Sequence, residues 1–267
     1  MRSPPVIIYS CIFMQFIRRS IQLLYSIYAF AVFLVFMCLL FPFIVVASFF
    51  GKQKGGNIII KICRFWADAC LFLWGIRHKN IFEVPHNPDH PCIFVFNHIS
   101  YMDIPILLSA FRYQHIRVLG KVEMTRIPIF GFIYKNAVVT VDRSDVAHRA
   151  QSVKVLKQVL KKNISVVLAP EGTFNMTSKP LKEFYDGAFR IAIETQTPIK
   201  PVLFLDAYDR LNYESIFSIT PGKSRAIYLE EIPVNEYNNN DTQILKQKVY
   251  DTMEEGLIKY TASWIKQ

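Results

Sequence analysis

The rhythm of apolar and polar positions changes near residue 80. From Ile21 to Phe50 no position is charged. Such a run of helix spans about 45 Å, more than the ~30 Å hydrocarbon core of a bilayer, and Pro42 is expected to interrupt it. A tilted span, a span ending near Pro42 with an interfacial piece after it, and a shallow hairpin all fit. A cleaved signal peptide fits poorly, because its apolar region is shorter and ends in a small-residue cleavage site. In the next segment, 57–76, Lys61, Arg64 and Asp68 fall on one helical face at i, i+3 and i+7, while Phe65, Trp66, Leu73 and Trp74 cover much of the rest. That pattern predicts an amphipathic helix that lies in an interface or docks a domain onto it.

Beyond residue 80 short apolar runs alternate with longer periodic segments. Strands are predicted at Cys92–Phe96, Ile116–Leu119, Ala137–Val141, Ile164–Ala169, Ile199–Leu205 and Arg225–Leu229. Helices are predicted at Ile104–Phe111, Ala147–Lys162, Gly187–Thr195 and Thr242–Trp264. The alternation predicts an α/β fold, a mixed, largely parallel sheet flanked by helices, with function in the loops beyond the strand ends. The expected organisation is a membrane anchor over 1–56, an amphipathic interfacial helix over 57–80 and a catalytic domain over 81–267.

Composition sharpens the reading of the first segment. The chain has 267 residues, 52% of them hydrophobic, and a formal charge of +10. Residues 1–80 hold nine Lys/Arg against one acid, Asp68, so +8 of that charge sits there. A basic region that is also the most apolar suits an anionic bilayer surface rather than nucleic acid. The basic residues flank the apolar run on both sides, with a slight excess after it, which favours a cytoplasmic catalytic domain. The five cysteines are odd in number and form no Cys-x-x-Cys pair, so their spacing gives neither a disulfide framework nor a zinc site. There is no GxSxG elbow, Walker loop, HExxH or GxGxxG.

Four local features could carry chemistry. Asn97-His98-Ile99-Ser100-Tyr101-Met102-Asp103 sits between a predicted strand and a predicted helix. In a turn, a carboxylate five residues on can reach one ring nitrogen of His98, fix its tautomer and leave the other as a base. The plainer reading is that Asp103 only caps the helix. Pro170-Glu171-Gly172-Thr173 follows an apolar strand, where Gly lets a backbone approach a ligand and Thr173 can donate a hydrogen bond. Lys121 and Arg143 each follow a strand and would form an anion pocket if both ends share an edge with His98. Pro198-Ile199-Lys200-Pro201-Val202 is an extended strand entry.

Taken in order, His98-x4-Asp103, Lys121 to Arg143, Pro170-Glu171-Gly172-Thr173 and Pro201-Val202 resemble the glycerolipid acyltransferase family typified by 1-acyl-glycerol-3-phosphate acyltransferases. Its signatures are NHxxxxD and PEGT. The resemblance runs from about residue 60 to 210 and includes Phe184 and Gly187-Ala188. It implies His98 as general base, Asp103 as its orienting partner, and Arg143 with Glu171-Gly172-Thr173 as the acceptor site. Lys121 would help at the phosphate, and Pro201 would shape the site. It further implies no cofactor and no metal. The implied partners are a bilayer, a lysophospholipid, and acyl-CoA or acyl carrier protein as donor. Lysophosphatidic acid is the expected acceptor. Lysophosphatidylethanolamine, a lyso amino-acid lipid, thioester hydrolysis and non-catalytic lipid binding are the alternatives. Two positions depart from the pattern. Ala137 stands where the second block usually has Gly, and Phe174 where the third usually has Arg, a change bearing on the headgroup that Lys179, Lys182 or Arg190 could offset.

Overall fold

The computed structural model describes residues 6–142 and 144–266, with side chains from residue 13 onward. The chain opens with α1, Val6–Ser48, followed by a π-helical turn, Gly51–Gly55, and α2, Gly56–Leu73. Seven strands follow: β1 Ile76–Phe82, β2 Ile93–Phe96, β3 Ile116–Lys121, β4 Val138–Val141, β5 Ser165–Leu168, β6 Ile199–Phe204 and β7 Gly222–Tyr228. The helices among and after them are α3 Asp103–Ala110, α4 Phe130–Ala137, α5 Val146–Leu160, α6 Gly187–Thr195, α7 Ala207–Arg210 and α8 Thr242–Lys259.

The strands form one sheet in the order β1-β7-β6-β2-β5-β3-β4. The five from β6 to β4 are mutually parallel, β7 is antiparallel to β6, and β1 is parallel to β7. The central strands β2, β5 and β6 are buried at every position, as a sheet covered on both faces requires. From β2 the chain crosses through α3 past β5 to β3. From β5 it crosses through α6 past β2 to β6. Right-handed crossovers leaving in opposite directions lie on opposite faces, so a crevice opens between the carboxyl ends of β2 and β5. His98 and Glu171 stand there.

The first two helices are part of the same core. Trp74 Nε1 donates to Ala29 O at 3.0 Å, and the rings of Phe33 and Trp66 meet edge-on at 4.8 Å. Ala29, Ile44 and Ala47 join Ile59, Ala67 and Leu71 in one continuous apolar cluster with the sheet. Each large apolar side chain so buried contributes about 1.5–3 kcal/mol. Arg117 of β3 donates to Gln53 O at 3.0 Å, and Lys52 Nζ to Lys135 O at 2.8 Å, which fasten the turn between the helices to the domain.

Three expectations change. The helix does not stop at Pro42 but continues to Ser48. Proline deletes one amide donor, while Ile44 and Ala47, packed under the next turn, hold the course. The segment 57–80 is not one helix: α2 ends at Leu73, Gly75 turns the chain with φ +57, and Ile76–Phe82 is an edge strand. Its IRHKNIF sequence alternates buried and exposed positions, a pattern too polar to stand out as a strand. The polar stripe of α2 faces protein, since Arg64 donates to Phe111 O at 2.7 Å and Asp68 accepts from Ser109 and Arg112. Phe65 and Phe72 face outward instead. Helix α4 was not anticipated. It takes Ala137, so the strand expected at Ala137–Val141 begins one residue later, at Val138.

Outward-facing apolar side chains also run along α1, among them Phe16, Leu24, Phe30, Leu39, Phe43 and Val46. From Phe13 to Ser48 this helix is long and apolar enough, by length and composition, to cross a membrane.

Candidate active site

β2 ends at Phe96, and the loop after it turns on its own side chains. Asn97 is buried and clasps the end of β6: Phe204 N donates to Asn97 Oδ1 at 2.8 Å, and Asn97 Nδ2 donates to Phe204 O at 3.2 Å. Asp103 begins α3 without capping it. Its carboxylate reaches back, and Oδ2 accepts from Ile99 N at 2.9 Å, Ser100 N at 3.0 Å and His98 Nδ1 at 2.7 Å. The plainer reading of Asp103 as a helix cap is therefore replaced by one in which it closes the turn below the imidazole. Asp103 is 1% exposed, and its Oδ1 is buried with no hydrogen-bond partner among the described residues. His98 Nδ1 is committed to this carboxylate, so the ring carries its proton there and leaves Nε2 as acceptor. About a quarter of the His98 side chain, 26%, is exposed.

The second loop supports the first. Glu171 follows β5 and is 1% exposed. Its Oε1 accepts from His98 N at 2.8 Å and its Oε2 from Lys182 N at 2.9 Å. Burial pushes the Glu171 carboxyl up to about 7, against the pull of those two amides and with a further push from the charge of Asp103. Gly172 takes φ +71, which a Cβ would strain, and so reverses the chain directly above the strand. Asn175 N donates to His98 O at 2.7 Å, so both loops share the backbone of one histidine.

Phe174 packs edge-on against His98, ring centroids 4.5 Å apart, and against Tyr101 at 4.8 Å. An aromatic wall thus stands beside His98, at the position where the resembled family pattern has an arginine. Of the three cations weighed as substitutes, Lys182 reaches the turn, its Nζ donating to Thr173 Oγ1 at 2.6 Å. Arg190 lies 3.5 Å from Asp186 on α6, and Lys179 is exposed.

The other expected residues fall at different depths. Leu119 stands level with Leu168 and Val95 across β3, β5 and β2, so Lys121 emerges at the same edge as His98, two strands away and exposed. Two strand spacings are about 10 Å. Arg143 lies outside the described residues. Pro201 is buried within β6, beside Val95 and three residues below the strand end, so it touches the site only through packing. Asn97, Asn175 and Lys182 were missed or left open, because their roles depend on the approach of β6 and of the 175–182 loop. Asn97 alone had a local signal, a polar residue at the end of an apolar strand.

Residues 75–205 match the acyltransferase family. The chain is 30% identical to a chloroplastic 1-acyl-sn-glycerol-3-phosphate acyltransferase of Brassica napus over 54% of its own length and 41% of the relative's. It is 23% identical to a probable 1-acyl-sn-glycerol-3-phosphate acyltransferase of Mycoplasma pneumoniae over 93% of its length and 96% of the relative's. It spans less than half the length of the Brassica, Arabidopsis and Cocos relatives that it matches, at 41%, 47% and 43%. The crystal structure of a 1-acyl-sn-glycerophosphate acyltransferase from Thermotoga maritima superposes with a TM-score of 0.73, covering 93% of this chain and 100% of the other at 22% identity, which establishes likeness of fold.

Proposed function

We propose, on the premise that residues 75–205 are an acyltransferase-family domain, that this chain moves an acyl group from a thioester to the free hydroxyl of a lysophospholipid, converting lysophosphatidic acid to phosphatidic acid. The observation that carries this reading is the 2.7 Å bond between His98 Nδ1 and an Asp103 carboxylate already held by two backbone amides. His98 Nε2 takes the hydroxyl proton as the acceptor oxygen attacks the thioester carbonyl. The carbon–sulfur bond breaks, and the imidazolium returns the proton to the departing thiolate. The Asp103 charge favours that imidazolium. Glu171 holds the His98 backbone in place. Thr173, Lys182 and Lys121, with Arg143, offer donors to the acceptor phosphate. The donor is acyl-CoA or acyl carrier protein, and no cofactor is required. α1 embeds its outward apolar side chains in the bilayer with the catalytic domain on the cytoplasmic face, where the two reactants meet in fixed geometry.

The Phe174 wall favours a second acceptor, lysophosphatidylethanolamine, because an aromatic edge beside the base replaces a full positive charge. Purified protein, labelled acyl-CoA and a panel of lysolipids test both. Phosphatidic acid as the fastest-formed product is the expected outcome. Preference for lysophosphatidylethanolamine moves the headgroup assignment and keeps the reaction. Release of fatty acid at a rate independent of acceptor overturns acyl transfer in favour of hydrolysis.

A further inference from the structure

The amino end of β2 carries a second cluster of reactive side chains, at the edge of the sheet opposite His98. Cys92, the residue before β2, is fully buried, and its backbone is fixed between neighbours: its N donates to Ser165 Oγ at 3.1 Å, and its O accepts from Val166 N at 3.1 Å. The thiol donates to Glu231 Oε2 at 3.2 Å. Glu231 Oε1 lies 3.7 Å from His90 Nε2. One ligand atom from each of these three residues falls within 4.8 Å of the other two. Bonds of ordinary length from a tetrahedral zinc ion to sulfur, imidazole nitrogen and carboxylate oxygen give ligand-to-ligand edges of about 3.4–3.6 Å. The Cys92 and His90 distances to the Glu231 carboxylate, 3.2 Å to Oε2 and 3.7 Å to Oε1, are each within a few tenths of an ångström of that, so rotation of the carboxylate presents one oxygen to both.

Two further features fit an ion. A cavity of ≈ 310 Å³, open to solvent and lined by His90, Lys200, Glu230 and Glu231, adjoins the cluster and supplies an entry path and room for a water ligand. The charges also balance. By formal count Glu230 and Glu231 against Lys200 leave one net negative charge around the cavity. Exchange of the Cys92 thiol proton for Zn²⁺ adds one positive charge and brings that formal count to zero.

We propose that His90, Cys92 and Glu231 form a zinc site, with water as fourth ligand, that clips the segment ahead of β2 to the end of β7. Binding forms Zn–S, Zn–N and Zn–O bonds, sends the thiol proton to solvent and changes no oxidation state. The site lies one short strand, about 13 Å, from the His98 loop, so its role is to hold the sheet and it takes no part in acyl transfer.

The test uses the full chain in detergent, stripped with a chelator and titrated with Zn²⁺ against a chromophoric chelator and, separately, with Co²⁺. The expected result is one ion per chain, a sulfur-to-cobalt charge-transfer band in the near ultraviolet, and a Tm raised by roughly 5–10 °C at a hundredfold excess of zinc over Kd. His90→Ala removes an exposed ligand that the fold does not need, and it should weaken zinc binding by about a hundredfold or more. Cys92→Ser should abolish the charge-transfer band, and Cys38→Ser, on the outer face of α1, should keep it. Absence of stoichiometric binding, a cobalt spectrum without the sulfur band, or unchanged affinity in both His90→Ala and Glu231→Gln overturns the proposal.

Discussion

The two ends of β2 each present a histidine facing a carboxylate, and they are built on opposite principles. At the carboxyl end His98 meets Asp103 five residues on, at 2.7 Å, with the acid buried and held by the amides of Ile99 and Ser100. At the amino end His90 meets Glu231 from a distant strand end, at 3.7 Å, and both side chains are substantially exposed, 50% and 32%. The first acid is preorganised by its own turn and stays in place whatever binds. The second is brought by folding and has slack that a bound ion could take up. A base for proton transfer needs the former, because reorganisation at the moment of reaction costs rate.

The contrast breaks hardest at the histidines. His98→Ala should lower the initial rate of acyl transfer by about 10²–10⁴, the usual worth of a general base. His90→Ala should leave that rate at the native level in the same assay. Asp103→Asn comes next. The amide keeps an oxygen for the two backbone donors but loses the charge that stabilises the imidazolium, so kcat should fall by about 10–10³ with little change in KM. Equal loss from His98→Ala and His90→Ala would erase the distinction between the two ends.

The Glu171 loop sharpens the comparison through pH. Its carboxyl is raised from 4.5 to about 7, so the folded state holds this proton more tightly than the unfolded one. The associated stability is fully present below about pH 4.5 and is lost as pH rises to about 7, some 3 kcal/mol in all. Tm measured across that window should decline more steeply in the native chain than in Glu171→Gln. Parallel curves would show that folding does not raise the Glu171 carboxyl. The smallest effect is at the aromatic wall beside His98. Phe174→Arg should raise the kcat/KM ratio of lysophosphatidic acid to lysophosphatidylethanolamine by about tenfold, the value of one charged hydrogen bond near 1.5 kcal/mol. Lys182→Met should move it in the opposite direction.

What could be read from sequence was what is local. The buried strands β2, β5 and β6 declare themselves by short apolar runs, Ile93–Phe96, Val166–Leu168 and Val202–Phe204. The His98 turn and the Glu171-Gly172-Thr173 turn are set by residues a few positions apart. Strand β1 was not legible, because its half-exposed alternation makes sense only beside β7. Passage of α1 through Pro42 depends on how Ile44 and Ala47 are buried. The polar stripe of α2 was visible, but its target, the end of α3, was not. Cysteine spacing cannot disclose the cluster at Cys92, whose carboxylate lies 139 residues away.

The pairing of β1 with β7 sets a timetable for synthesis. His78 and Ser224, bonded across the two strands, are 146 residues apart. At about 5–20 residues per second, a ribosome needs roughly 7–30 s to deliver the second after the first. For that interval the two leading helices and β1 exist without the strand that completes their edge, and a bare edge invites pairing with another chain. His78, Lys79 and Asn80 near its middle keep that edge polar while the nascent chain waits.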